Sequence, residues 1–141
     1  MINPRQVLDV VQEVLIADAT TLSYLQLSGA STIEKAQGII KRSFYTDLAG
    51  GKSRLCVFLA PTRRNNNQFI KEDVLEINCH VPVSRDMFAL DVLQRAFLLL
   101  HEQTLANHIL YLDGTLGELP TAENYFCAGS RFCFYSTTKN S

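Results

Sequence analysis

The chain has 141 residues, of which 47% are hydrophobic and 19% charged, and its formal net charge is −1. A chain of this length amounts to about one domain and buries roughly two thirds of its unfolded surface, so a core can form without metal or disulfides. The near-neutral balance excludes a tight grip on a nucleic-acid backbone, which depends on Lys and Arg neutralising phosphates. It also leaves too little charge to keep copies apart by repulsion, so self-association is expected.

No run approaches the roughly 18 apolar residues of a membrane span, and the first residues lack the charged-then-apolar layout of a signal peptide. Synthesis in a cytoplasm, away from membranes, is the expectation. Cys56, Cys79, Cys127 and Cys133 lie far apart and mostly inside predicted strands. That pattern predicts reduced, buried thiols rather than a disulfide framework.

In chain order, Asn3-Pro4 with Gln6 predicts a helix start, and Val7, Val10, Val11, Val14 and Leu15 supply its apolar stripe to about Ala17. Asp18 can cap a second, shorter helix through Leu22, Tyr24 and Leu25, stopped by Ser28 and Gly29. Between Ala30 and Gly51 the pattern is weak; Ile39 and Ile40 beside Phe44 and Tyr45 are compatible with a short strand. Arg54 to Leu59 is apolar on both faces and predicts an interior strand ended by Pro61. Val74 to Val81 alternates strictly, with Leu75, Ile77, Cys79 and Val81 on one face and Glu76, Asn78 and His80 on the other. The first face is expected to pack, and the second to meet water, a neighbouring chain or a channel. The polar stretch joining the two strands, with Arg63, Arg64, Asn65, Asn66, Asn67 and Gln68, predicts a long β-hairpin whose tip projects from the body.

After Pro82, Ser84 or Asp86 can cap a long helix. Its Leu90, Leu93, Ala96, Phe97 and Leu100 recur at helical spacing, while Asp91, Gln94, Arg95 and Glu102 turn away, Asp91 and Arg95 standing four apart. Ile109 to Leu112 predicts a short strand and Asp113-Gly114 a turn. The segment Thr115 to Asn124 is expected to expose Leu116 and Leu119. Tyr125 to Cys127 and Arg131 to Tyr135 predict one or two last strands, before a polar tail over 136–141. The order predicts a single domain of α+β class, a largely antiparallel sheet with helices on one face.

No catalytic, cofactor-binding or metal-binding constellation emerges. Cys79 and His80 are neighbours on a strand and face opposite ways, so they cannot share a metal or act as nucleophile and base. Cys127 and Cys133 fit no usual zinc spacing. His101 is placed to favour the end of its helix if protonated, and His108 has no ligand partner nearby. Gly114-Thr115-Leu116-Gly117 lacks the Gly-Lys-Thr of a phosphate loop and reads as a turn. Asp9, Glu13, Asp91, Glu118 and Glu123 lie on expected solvated faces or loops.

The leading helix, Arg54-Leu55-Cys56-Val57-Phe58-Leu59 closed by Pro61, Leu75-Glu76-Ile77-Asn78-Cys79-His80-Val81-Pro82, a helix ending in Leu98-Leu99-Leu100-His101, Leu110-Tyr111-Leu112-Asp113-Gly114 and a final Arg131-Phe132-Cys133-Phe134-Tyr135 together resemble the tail terminator and neck proteins of tailed bacteriophages. The similarity lies in the order of elements from Met1 to Tyr135 and in the strand-proline punctuation. It implies a non-enzymatic virion subunit, made in the host cytoplasm, that forms a homo-oligomeric ring, usually a hexamer, at the head-tail junction. Such a ring caps the tail tube and meets tail tube protein on one side and a head completion or connector protein on the other. DNA passes through its lumen without sequence-specific binding, and no cofactor is implied. The segment from Ala30 to Gly51 is longer than the family pattern, which leaves the exact neck component open; a head completion or connector adaptor protein, or a small enzyme or ligand-binding protein, are the alternatives. The residues expected to contact neighbours are Arg63, Arg64, Asn65, Asn66, Asn67, Gln68, Glu76, His80, Asp113, Leu116 and Leu119.

Overall fold

A computed structural model describes residues 4–43, 51–61 and 70–137. Helix α1 (Pro4–Ala17) buries Val7, Val11 and Leu15, the i, i+4, i+8 stripe of an amphipathic helix. Helix α2 (Ala19–Tyr24) follows after one residue, Asp18, whose carboxylate accepts the Thr21 N–H at 2.9 Å as an N-cap. Helix α3 (Thr32–Gly38) leads into β1 (Ile39–Ile40), then β2 (Arg54–Ala60) and β3 (Ile70–Pro82). A 3₁₀ turn over Val83–Arg85 opens α4 (Asp86–Leu100), and β4 (Thr104–Leu105), β5 (His108–Ile109), β6 (Tyr111–Leu116) and β7 (Tyr125–Thr137) complete the chain.

The main sheet has the order β1-β2-β3-β7-β6, antiparallel except for the β1-β2 pair, and the fold is α+β. Its longest ladder joins β3 to β7 from Ile70↔Thr137 to Pro82↔Tyr125. Among the described residues, β2 pairs with β3 as far as Ala60↔Val74 and β6 with β7 as far as Tyr111↔Cys133, while β3 and β7 stay paired through 70–73 and 134–137. One sheet face carries Leu55, Val57, Leu75, Ile77, Cys79, Val81, Ala128, Phe132 and Phe134 and packs under α1, α2 and α4 in one apolar core. All four cysteines are buried free thiols.

Asp18 also ties α2 to α4. Its two carboxylate oxygens receive Arg95 Nε at 3.0 Å and Nη2 at 2.8 Å, a bidentate pair. The Arg95 hydrogen bond, chiefly, holds the Asp18 carboxyl well below the usual carboxylate range, with the Thr21 hydroxyl and amide adding to it against the cost of burial. A depressed folded value means that this stabilisation is present above the unfolded carboxylate value of about 3.9 and is lost as pH falls toward the folded one. Asp18→Ala is therefore expected to cost about 1–2 kcal/mol at pH 7 through the lost cap alone. In chemical denaturation across pH, the gap between wild type and variant should narrow below about pH 4. A gap that stays constant with pH would refute the assignment.

Several sequence expectations give way. α3 was not anticipated. Neither Ser84 nor Asp86 caps α4, whose N-cap position is Arg85 with no side-chain bond. Leu90 is not on the inner face of α4, where Ala89, Val92, Leu93, Ala96 and Leu100 are buried instead. Arg95 reaches Asp18, not Asp91. Asp113-Gly114 is a β-bulge inside β6 rather than a turn, because β7 supplies a partner strand on both sides of it. Gly114 to Leu116 is accordingly strand, and Tyr125 to Thr137 is one continuous strand. His101 Nδ1 accepts the Leu112 N–H at 2.9 Å and its ring stacks on Phe97, so it closes the path from α4 to β6. Phe44, Tyr45, Asn3 and the hairpin tip from Arg63 to Gln68 lie outside the described residues.

Candidate functional site

The second face of β3 is the first place to look for chemistry. Glu76, Asn78 and His80 are buried there, not outward-facing as their alternation suggested, because segment 117–124 folds back over the sheet. Glu76 Oε1 accepts from Arg131 Nε at 2.8 Å and Oε2 from Asn78 Nδ2 at 2.9 Å. The His80 ring stands between Thr121 Oγ1, 2.8 Å from Nδ1, and Cys127 Sγ, 3.7 Å from Nε2. His80 and Cys127 are direct cross-strand partners. Periodicity shows that Cys79 cannot serve His80, but strand register alone brings Cys127 to it.

A thiol, an imidazole and a hydroxyl in line match the layout of nucleophile, base and orienting group. The electrostatics run the other way. Burial pushes the Cys127 thiol up to about 12 and His80 down from its ordinary value. Burial likewise lifts Cys56 to about 12 and raises Cys79 further. The His80–Cys127 contact joins β3 to β7 on the same face as the Glu76–Arg131 ion pair.

At the other end of the same face, Glu72, Asp113 and Cys133 from three neighbouring strands bring their donor atoms within 4.8 Å of one another. Among the described residues this is the group whose donors, a thiol and two carboxylates, could hold a metal ion. Each also engages in interactions of its own within the fold. Cys127 and Cys133, considered together from the sequence, are about 20 Å apart along one strand at ordinary rise.

The surfaces are more telling. On α4, Met87, Leu90 and Leu98 are 70%, 55% and 57% exposed and share the helix's outer side, with Val83 also exposed just before it. Beside them, between α4 and the β6–β7 edge, runs a cleft of about 390 Å³ lined by Leu90, Leu93, Phe97, Leu112, Thr115 and Leu116. Leu116 is thus half-buried in the cleft wall, and Leu119 half-buried over Gly129, where the sequence expected both to be exposed. Asp113 is exposed on the same edge. At the opposite sheet edge a second cleft, about 480 Å³, is lined by Arg5, Leu8, Gln12, Ile40, Arg42 and Leu59.

No family model and no curated protein matches the chain. The apolar outer side of α4 and the two edge clefts therefore carry the functional reading. Met87, Leu90 and Leu98 share that side of α4 with the exposed polar residues Asp91 and Gln94. Periodicity could have found them only by showing that α4 has more apolar residues than one face can bury. No helix among the described residues is long and apolar enough to cross a membrane.

Proposed function

We propose that the protein is a structural subunit of the head-tail junction of a tailed bacteriophage, forming a ring that caps the tail tube, joins it to the head and leaves a channel for DNA. The observation that carries this reading is the exposed apolar side of α4, Met87, Leu90 and Leu98 beside an apolar cleft, on a chain whose net charge is −1. Such a surface favours association with protein, and the low charge does not oppose it. The α+β fold and the antiparallel pairing of β2 with β3 are compatible with this reading.

The test is the mass of the purified protein in solution by light scattering, and its appearance by electron microscopy, alone and with the tail tube protein of the same phage. The expected result is a closed oligomer that binds one end of the tube and arrests its growth. A stable monomer that joins neither tube nor head components overturns the reading.

A further inference from the structure

We propose that the cleft between α4 and the β6–β7 edge binds a small uncharged molecule with a flat apolar body and one hydrogen-bonding group, which meets the Ser130 hydroxyl. This goes beyond the ring reading and does not depend on it. At about 390 Å³ the cleft has the size of a small-molecule site. Leu93 and Phe97 of α4 and Leu112 of β6 wall it, and Gln94 and Thr115 are exposed at its rim. Among the described residues no charged side chain lines it. An ion of either sign would leave water there without a counter-charge, so the cleft favours a neutral guest.

Ser130 supplies the polar group. It lies inside β7, paired with Ile77 of β3 on one side and Thr115 of β6 on the other, and shares the helix-facing side of its strand with Ala128 and Phe132. The residue is only 3% exposed. Among the described residues its hydroxyl has no hydrogen-bond partner, yet it is not one of the unpaired side-chain atoms sealed from solvent. What access it keeps is through the cleft it lines. A protein face laid across the rim would cover this hydroxyl and leave it unpaired, which is unfavourable; a molecule small enough to fill the cleft pairs it.

The walls are set before any guest arrives. His101 stacks on Phe97 with ring centroids 4.7 Å apart, and its Nδ1 accepts the Leu112 N–H at 2.9 Å. One residue therefore holds a wall from the helix and a wall from the sheet. A cleft fixed in this way loses little freedom on binding, and the Phe97 ring suits an aromatic guest.

The experiment titrates N-phenyl-1-naphthylamine, an uncharged amine with one N–H that fluoresces in apolar surroundings, into the intact chain. Saturable binding of one molecule per chain is expected, with the sulfonated counterpart, anilinonaphthalene sulfonate, binding about tenfold or more weakly. Ser130→Ala should weaken the neutral probe about two- to tenfold, the share of one hydrogen bond. Thr115→Trp and Gln94→Trp, substitutions at exposed rim positions on opposite walls, should each block it, with circular dichroism confirming that all three variants fold. If wild type leaves the probe dark, the cleft holds water only and the proposal is overturned. Undiminished binding to both Trp variants places the probe elsewhere and overturns it equally. Binding that is unchanged in Ser130→Ala, or as tight for the sulfonate, overturns the assigned ligand class. None of these outcomes bears on the ring reading, whose test is assembly.

Discussion

Gly129→Ala is expected to cost about 1–3 kcal/mol in urea denaturation, and Gly129→Val more, as overpacking of a closed site does. Gly129 lies in β7 opposite Asn78, and its backbone does not have a positive φ, so what it supplies is space. An added Cβ would overlap Asn78 Oδ1 and stand 3.0 Å from the Ile77 carbonyl oxygen and 3.1 Å from Leu119 Cδ1. A backbone oxygen of a central strand has nowhere to go. Asn78 Oδ1 is itself buried without a hydrogen-bond partner, aimed at the bare glycine. A double-mutant cycle with Asn78→Ala should therefore recover part of the loss, with a coupling of about 0.5–3 kcal/mol. A Gly129→Ala loss below about 0.5 kcal/mol would mean that the close approach of β3, β7 and Leu119 is wrong.

Leu100→Ala is expected to cost about 2–5 kcal/mol, while Leu90→Ala stays within about 0.5 kcal/mol of wild type. Both leucines sit on α4 and both fit its apparent apolar stripe. Leu100 is fully buried in the core and Leu90 is more than half exposed. Thermal or urea unfolding of the two single variants at concentrations where the chain is monomeric decides the rotation of the helix. Equal losses would return Leu90 to the core and contradict its exposed place on α4.

That rotation shows where reading from sequence runs out. α1 and β3 were legible because their apolar residues keep one period, and Asp18 because a cap acts on the next turn. α4 is apolar on too many sides for spacing to choose among them; the sheet selects the side with Ala89 and Ala96, whose small side chains let the helix come close. α3 has a local signal, Ser31 and Glu34 bonded to each other as in a capping box, but its one large apolar residue, Ile33, is exposed. The pairing of His80 with Cys127 and the gathering of Glu72, Asp113 and Cys133 depend on strand register across distant segments. No local pattern encodes that.

The place of β7 in the sheet has a consequence for how the chain is made. The last of these strands to be synthesised inserts between β3 and β6, two strands already present. Until Tyr125–Thr137 has emerged from the ribosome, β3 offers a 13-residue edge without its β7 partner, and β6 lacks the one strand it pairs with among the described residues. Sheet closure must then wait for contacts between segments more than forty residues apart, such as Pro82↔Tyr125, the slow class of strand pairing. During that interval the nascent chain is a template for strand exchange with another nascent copy, which makes crowded translation of one message the condition under which misassembly should be sought.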